Sequence, residues 1–304
     1  MQTRRDVLRL SAAAALGLQL PNAKAADDWR TQFPEIRFSV RPNENAEGMS
    51  RWGEMAEYLA SALRTKVVVR QTTDYAGTIE ALRSKRLELA YLGAAGYAQA
   101  WLVTQANVEP IAAVVAAGGD TGYYSMIIVK SDSNYRTVDD LQGKTLAYTD
   151  PNSTSGFEVP SFFLRKEGKD PSKFFAKTGF AGTHENAVMA VYNGTYDAAA
   201  TWYTAETRTN VTRMESKGLI PPNAVRLVWK SPKIEGDVFT ARSDLPSSMR
   251  LDIQKALLDL PKADPALLKR LGDGTYEGIV TITHDDYVPI VTMIRENLAA
   301  KRKQ

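Results

Sequence analysis

Short apolar runs alternate along this chain with segments of helical spacing, and the alternation breaks once and then resumes. Apolar runs at 36–40, 67–69, 89–92 and 111–115 read as strands, and the segments 50–63, 75–83 and 94–103 between them read as helices. In the first of these helices Trp52, Met55, Ala56, Leu59 and Leu63 recur at the spacing of one buried face. Alternation of this kind predicts parallel strands covered by helices. The longer run at 123–129 departs from the pattern and reads as a passage to a second lobe. There the alternation restarts, with strands expected at 146–148, 175–180, 198–202 and 225–229 and helices at 157–167 and 186–192. A run at 238–242 reads as the return, and helices at 247–258, 265–271 and 285–299 finish the chain. Two passages imply two α/β lobes, the second inserted into the first: 26–124 with 238–304, and 125–237. In open α/β sheets ligands bind beyond the carboxyl ends of the strands, so the cleft between the lobes is the expected site. Such a geometry suits hinge closure on a small ligand.

The first 25 residues stand outside this pattern. A basic start containing Arg4-Arg5 leads into a small-residue apolar run from Leu10 to Leu20, and Ala23-Lys24-Ala25 has the form of a cleavage site. This is a secretory signal pattern, and the arginine pair points to the twin-arginine route. The run is too short to span a bilayer as a stable helix. There is no cysteine, so disulfides, thiolate chemistry and a lipoprotein anchor are all excluded. The leader carries a net charge of +3, as does the whole chain, so a mature chain starting near Ala26 is close to neutral. A neutral domain without a basic run is a poor nucleic-acid binder. The closing Lys301-Arg302-Lys303 reads as a solvated tail.

The segment Asp150-Pro151-Asn152-Ser153-Thr154-Ser155-Gly156 carries the most chemistry. It lies where the strand ending at Tyr148 hands over to a helix. Backbone N–H groups at a helix start have no intrahelical acceptor, and the helix dipole puts partial positive charge there. A tetrahedral oxyanion suits that place, and consecutive hydroxyls can donate to its other oxygens. The everyday alternative is a Ser/Thr N-cap with no ligand.

The chain resembles the PhnD family, the phosphonate, phosphite and phosphate binding proteins of ABC importers. The resemblance rests on Asp74-Tyr75, Leu92-Gly93-Ala94-Ala95-Gly96-Tyr97, the segment Asp150 to Gly156, Gly182-Thr183-His184 and Asn193-Gly194-Thr195-Tyr196-Asp197-Ala198, in that order and spacing. It implies the type II periplasmic binding protein fold. It also implies that Ser153, Thr154 and Ser155 hold the oxyanion and that His184 donates to another of its oxygens. Tyr75 and Tyr97 resemble the first-lobe tyrosines that close over the ligand, core packing being the other common fate of such residues. If His184 binds as imidazolium, affinity should vary with pH near neutrality. Where the family takes aminoalkyl phosphonates, acidic residues face the ligand's ammonium. Glu206 and Asp237 are the candidates here, with Glu235 beside the latter, and Trp202 is a candidate wall of the pocket. The family often has Gly-Pro after the third strand, whereas Ala94 follows Gly93 in this chain. The implied partners are a small oxyanion and a membrane ABC permease with its ATPase, and the implied location is the periplasm. No cofactor or metal is implied.

Other functions remain to be weighed. Ser153, His184 and Asp197 contain the residue types of a nucleophile triad, but no G-x-S-x-G elbow is present. Neither a phosphate-binding loop, a dinucleotide fingerprint nor a metal-ligand spacing occurs. Binders of sulfonates or other small organic ligands share the architecture, as do ligand sensors, and fold alone does not separate them. The Ser-Thr-Ser cluster with a histidine favours phosphorus oxyanions.

Overall fold

The computed structural model describes residues 28–42, 46–116 and 118–302. The leader read at residues 1–25 lies outside them. The strands are β1 (Glu35–Ser39), β2 (Lys66–Arg70), β3 (Leu89–Leu92), β4 (Val108–Ala116), β5 (Gly122–Lys130), β6 (Thr145–Tyr148), β7 (Lys177–Phe180), β8 (Ala198–Ala205), β9 (Arg208–Thr209), β10 (Val225–Lys230), β11 (Ile234–Glu235), β12 (Val238–Arg242) and β13 (Tyr276–Val280). They form two sheets. The first has the order β13-β4-β12-β3-β1-β2, and the second β10-β5-β8-β6-β7, with β9 on β8 and β11 on β5.

Neither sheet is purely parallel. In the first, β12 runs antiparallel to both β3 and β4, and β13 adds an antiparallel edge. In the second, β5 runs antiparallel to β8 and β10, while β6 is parallel to its neighbours. Two of the antiparallel strands, β5 and β12, are the ones the chain enters on changing sheet. The run at 123–129 lies wholly in the second sheet and that at 238–242 wholly in the first. The passages themselves are the short links before β5 and between β11 and β12. At their base β5 and β11 pair, Tyr123 opposite Ile234 and Gly122 opposite Glu235, so the two links are zipped together.

Each sheet is covered on both faces. Trp52, Met55 and Leu59 from helix Ala46–Leu63 meet Ile253, Leu257 and Leu260 from helix Ser247–Ala263 on one face of the first sheet. Tyr97 and Ala98 from helix Ala94–Val103 meet Tyr287, Ile290 and Ile294 from helix His284–Lys301 on the other. Full burial of a large apolar side chain contributes roughly 1.5–3 kcal/mol, so these two faces dominate the stability of the first lobe. In the second sheet Ala198, Ala199 and Ala200 alternate between the cores on the two faces.

The closing helix also touches the second lobe. Asn297 Nδ2 donates to the Glu158 backbone carbonyl at 3.0 Å and to its carboxylate, and Arg165 donates to the Asn297 side-chain oxygen. Gln99, on helix Ala94–Val103, donates to the same carboxylate at 3.2 Å. Burial pushes the Glu158 carboxyl above the usual range, against the pull of Lys301 and Asn297.

Candidate functional site

Four helix starts converge between the sheets, each following the carboxyl end of a parallel strand. They belong to helices Tyr75–Arg83, Ala94–Val103 and His184–Tyr192 and to the turn beginning at Thr154. Around them lies a small cavity lined by Tyr75, Gly93, Ser153, Thr154, Ser155 and His184 together with Arg41, Tyr123, Trp202 and Asp237. The strands nearest it sit where strand order reverses. After β1 the chain passes to β2 on one side and β3 on the other, and after β6 to β7 and β8. Arg41 lies just past the end of β1 and the Ser-Thr-Ser segment just past β6, at topological switch points, where α/β sheets bind ligands.

The Ser-Thr-Ser segment opens on a single π turn, Thr154–Glu158, before α-helix Val159–Lys166 begins. The expectation of a plain helix from Phe157 is corrected here. Pro160 has no N–H, and in an α-helix it would leave the Gly156 carbonyl without its donor. In the wider turn the Glu158 N–H reaches the Ser153 carbonyl at 3.0 Å, and the Gly156 carbonyl accepts instead from the Thr149 N–H at 3.0 Å. A Cβ at Gly156 would lie 2.2 Å from Thr149 Oγ1 and 2.8 Å from Ser153 Oγ, so this tight fold-back admits only glycine. Ser153 caps the turn, its Oγ accepting from the Gly156 N–H at 3.1 Å. Thr154 Oγ1 accepts from the Ala95 N–H at 2.9 Å, joining the two lobes.

His184 is buried, and its ring bridges the segment and the second sheet. Nε2 lies 3.3 Å from Ser153 Oγ, and Nδ1 lies 3.0 Å from Thr201 Oγ1 and 3.2 Å from Thr149 Oγ1. The Thr149 hydroxyl also has the Ala200 carbonyl to donate to at 3.3 Å, so two threonines close the Nδ1 side of the ring while Nε2 lies on the side of Ser153. Burial, with the nearby charges of Arg41 and Arg213, pushes the His184 pKa down to about 3. The imidazolium considered from sequence is therefore replaced by a neutral imidazole at neutral pH.

No triad is assembled. The Asp197 carboxylate accepts from the Thr145 N–H, the Thr145 hydroxyl and the Tyr135 hydroxyl, whereas His184 Nδ1 faces two threonines. Among the described residues, no group of three or more His, Asp or Glu side chains is placed to hold a metal ion.

Tyr75, Ser153, Thr154, Ser155, His184, Trp202 and Asp237 are thus brought together. Tyr97 is not. It sits one turn into its helix with its ring against Tyr287 and its hydroxyl on His284 Nδ1 at 2.7 Å, within the first-lobe core. Glu206 occupies the exposed turn between β8 and β9, and Glu235 sits in β11; neither lines the cavity. Asp237 does line it, but as the ion-pair partner of Arg41, 2.5 Å from Nη1.

The family described as "ABC transporter, phosphonate, periplasmic substrate-binding protein" matches residues 38–287. The chain belongs to this phosphonate-binding family. Among its relatives, the Phosphate-import protein PhnD of Mycolicibacterium smegmatis is 32% identical over 246 residues, 78% of this chain and 74% of that one. A phosphonates-binding periplasmic protein of Escherichia coli is 30% identical over 248 residues, 79% and 71% of the two chains. A solved structure from Pseudomonas aeruginosa, a binding protein component of an ABC phosphonate transporter, superposes with a TM-score of 0.74 at 27% identity, covering 86% of this chain and 85% of that one. The two-sheet architecture is that of periplasmic substrate-binding proteins.

Sequence reasoning missed Arg41 and Tyr123 as lining residues in this phosphonate-binding family member, and it quoted Gly93 without giving it a role. The position of Arg41 just past a strand's carboxyl end was a usable signal. Gly93 is set by close approach, since a Cβ there would lie 2.8 Å from Thr154 Oγ1. Burial holds the Tyr123 phenol above its usual range, although the Thr154 and Ser155 hydroxyls beside it pull the other way. It therefore remains a neutral donor.

Proposed function

We propose that the cavity between the two sheets receives a phosphonate, phosphite or phosphate-type oxyanion for delivery to a membrane permease and its ATPase. The observation that carries this reading is the convergence of four helix starts, the Ser153, Thr154 and Ser155 side chains and Arg41 on one small cavity. Helix N-termini favour anions, and charge-assisted hydrogen bonds to hydroxyls and a guanidinium add roughly 1.5–3 kcal/mol each. The neutral His184 imidazole and the Tyr123 hydroxyl supply further hydrogen-bonding groups. Tyr75 and Trp202 form the walls, and the residues at 125–237 close as a lobe on the remainder. The chain catalyses no reaction in this reading. A leader ending near Ala25 directs it to the periplasm, and cleavage releases the folded part.

Thermal-shift assays on the chain lacking residues 1–25 test the reading, with phosphate, phosphite, methylphosphonate, 2-aminoethylphosphonate, sulfate and taurine as ligands. A tight binder of the native state raises the melting midpoint in proportion to the logarithm of its concentration over Kd. A shift with a phosphorus oxyanion is the expected result. A shift with sulfate or taurine alone transfers the site to sulfur oxyanions.

A further inference from the structure

The oxyanion cavity opens into a second, larger chamber, and the two share Arg41, Tyr123, His184, Trp202 and Asp237. Phosphate or phosphite seated at Ser153, Thr154 and Ser155 does not touch the residues that line only this chamber, which leaves it to an organic group attached to the oxyanion. Its charges say what kind of organic group it accepts. Three carboxylates line it, and each has its own cation: Asp237 with Arg41, Asp273 with Arg51 and Asp120 with Lys233. Arg213, also in the wall, is paired with Glu185 at 3.0 Å. Arg208 is left over. Among the described residues it makes no ion pair, and its Nε is buried without a hydrogen-bond partner. Its guanidinium lies 5.8 Å from the centre of the Trp202 ring and 5.2 Å from that of Tyr276, and Arg213 lies 5.6 Å from Trp202. The hairpin β8–β9 fixes it there, Ala205 opposite Arg208. Asp273 registers the same excess of positive charge. Burial alone would raise its carboxyl, but the Arg51 hydrogen bond and the charges of Arg51, Arg208 and Arg213 hold it below the usual range.

We infer that the ligand carries a second acidic group at its organic end, held by Arg208 beside the Trp202 ring while its phosphorus oxyanion sits at Ser153, Thr154 and Ser155. This rests on the oxyanion reading above. A planar carboxylate matches the two-pronged geometry of a guanidinium, and a half-buried arginine whose buried Nε lacks an acceptor gains from one. An ammonium in the same place meets Arg208 and finds only carboxylates already neutralised by their own cations.

Calorimetric titration of the mature chain compares methylphosphonate, 2-aminoethylphosphonate, phosphonoacetate, 3-phosphonopropionate and 4-phosphonobutyrate. At least one phosphonocarboxylate is expected to bind about tenfold or more tighter than methylphosphonate, the gain from one charge-assisted hydrogen bond. The aminoalkyl compound is expected to bind more weakly than methylphosphonate. In Arg208→Gln, shown to be folded by its melting transition, the ratio between the best diacid and methylphosphonate falls towards one, and Arg208→Lys restores part of it. Methylphosphonate binding with no preference for any diacid overturns this inference and leaves the oxyanion reading standing, as does a preference that survives in Arg208→Gln. Failure of every phosphorus compound to bind overturns both.

Discussion

Thr154 Oγ1 accepts a hydrogen bond from the Ala95 backbone N–H at 2.9 Å, so a side chain from one lobe satisfies a helix-start donor of the other. The contact exists because Gly93 has no side chain. A methyl group there would press on Thr154 Oγ1 at 2.8 Å and approach Asp237 Oδ1 at 3.5 Å. The backbone at Gly93 has a φ of −67°, which any residue adopts. Gly93→Ala should therefore fold with an unchanged melting midpoint yet fail to close fully. Oxyanion affinity should drop by about tenfold or more, the equivalent of about one lost hydrogen bond. Scattering measurements should show less ligand-induced compaction, and wild-type compaction in the variant would sink the argument.

Ser153 has two roles, and its replacement should register in both. As the cap of the π turn, its loss in Ser153→Ala should lower stability by about 0.5–2 kcal/mol. As a donor to the oxyanion, its loss should weaken binding by a further ~1–3 kcal/mol. Denaturant melts and calorimetry separate the two numbers. Intact affinity in a destabilised variant would reduce Ser153 to its capping role.

His184 is held neutral, its pKa pushed down to about 3 from an unfolded value of 6.5, chiefly by burial. The unfolded chain then binds the additional proton between those two values. The stabilisation is complete above pH 6.5 and is lost progressively as pH falls towards 3. His184→Gln has no such proton, so its stability should fall less steeply than wild type across that window. Denaturation midpoints at a series of pH values give the comparison. Oxyanion affinity, corrected for the ligand's own ionisation, should be flat between pH 6 and 8; a rise towards pH 6 would mean that the bound anion recruits a proton to the ring.

Arg41 and Asp237 form a half-buried pair at the oxyanion cavity, and their replacements should have opposite consequences. Arg41→Met leaves a bare carboxylate facing an incoming anion, and affinity should fall by about 2 kcal/mol or more. Asp237→Asn removes that charge and releases the guanidinium to the ligand, so affinity should hold or rise. Equal losses in both variants would mean that the pair acts only as a scaffold.

Much of the site's frame was legible because its signals are local. Asp74 before Tyr75 and Gly93 before Ala94 are start signals read within a few residues, and helices Tyr75–Arg83 and Ala94–Val103 begin where those residues predict. The π turn was not legible, since it has no periodic signature of its own; Pro160 is its one local hint. Strand β13 and helix Asn210–Ser216 went unread because each is short and gains its apolar face from distant partners. Arg208 looked like any loop arginine. Only the pairing of β9 with β8 swings it over Trp202, and that is a tertiary fact. The charge state of His184 escaped for the same reason, as burial is set by elements far away in the chain.

The bond between Asn297 and Glu158 ties the last helix of the chain to the lobe it does not belong to. Besides the two links paired at Tyr123 and Ile234, the lobes are thus tethered near the carboxyl terminus, on the same carboxylate that Gln99 reaches. Rotation about the links alone must strain or sever this tether. Cleft opening then has two regimes, a narrow one in which the tether survives and a wide one in which it is broken. A ligand small enough to leave through the narrow gap would exchange quickly, whereas one filling both chambers would have to wait for the wide one. Residence time would then be set at Asn297, a residue that does not line the cavity.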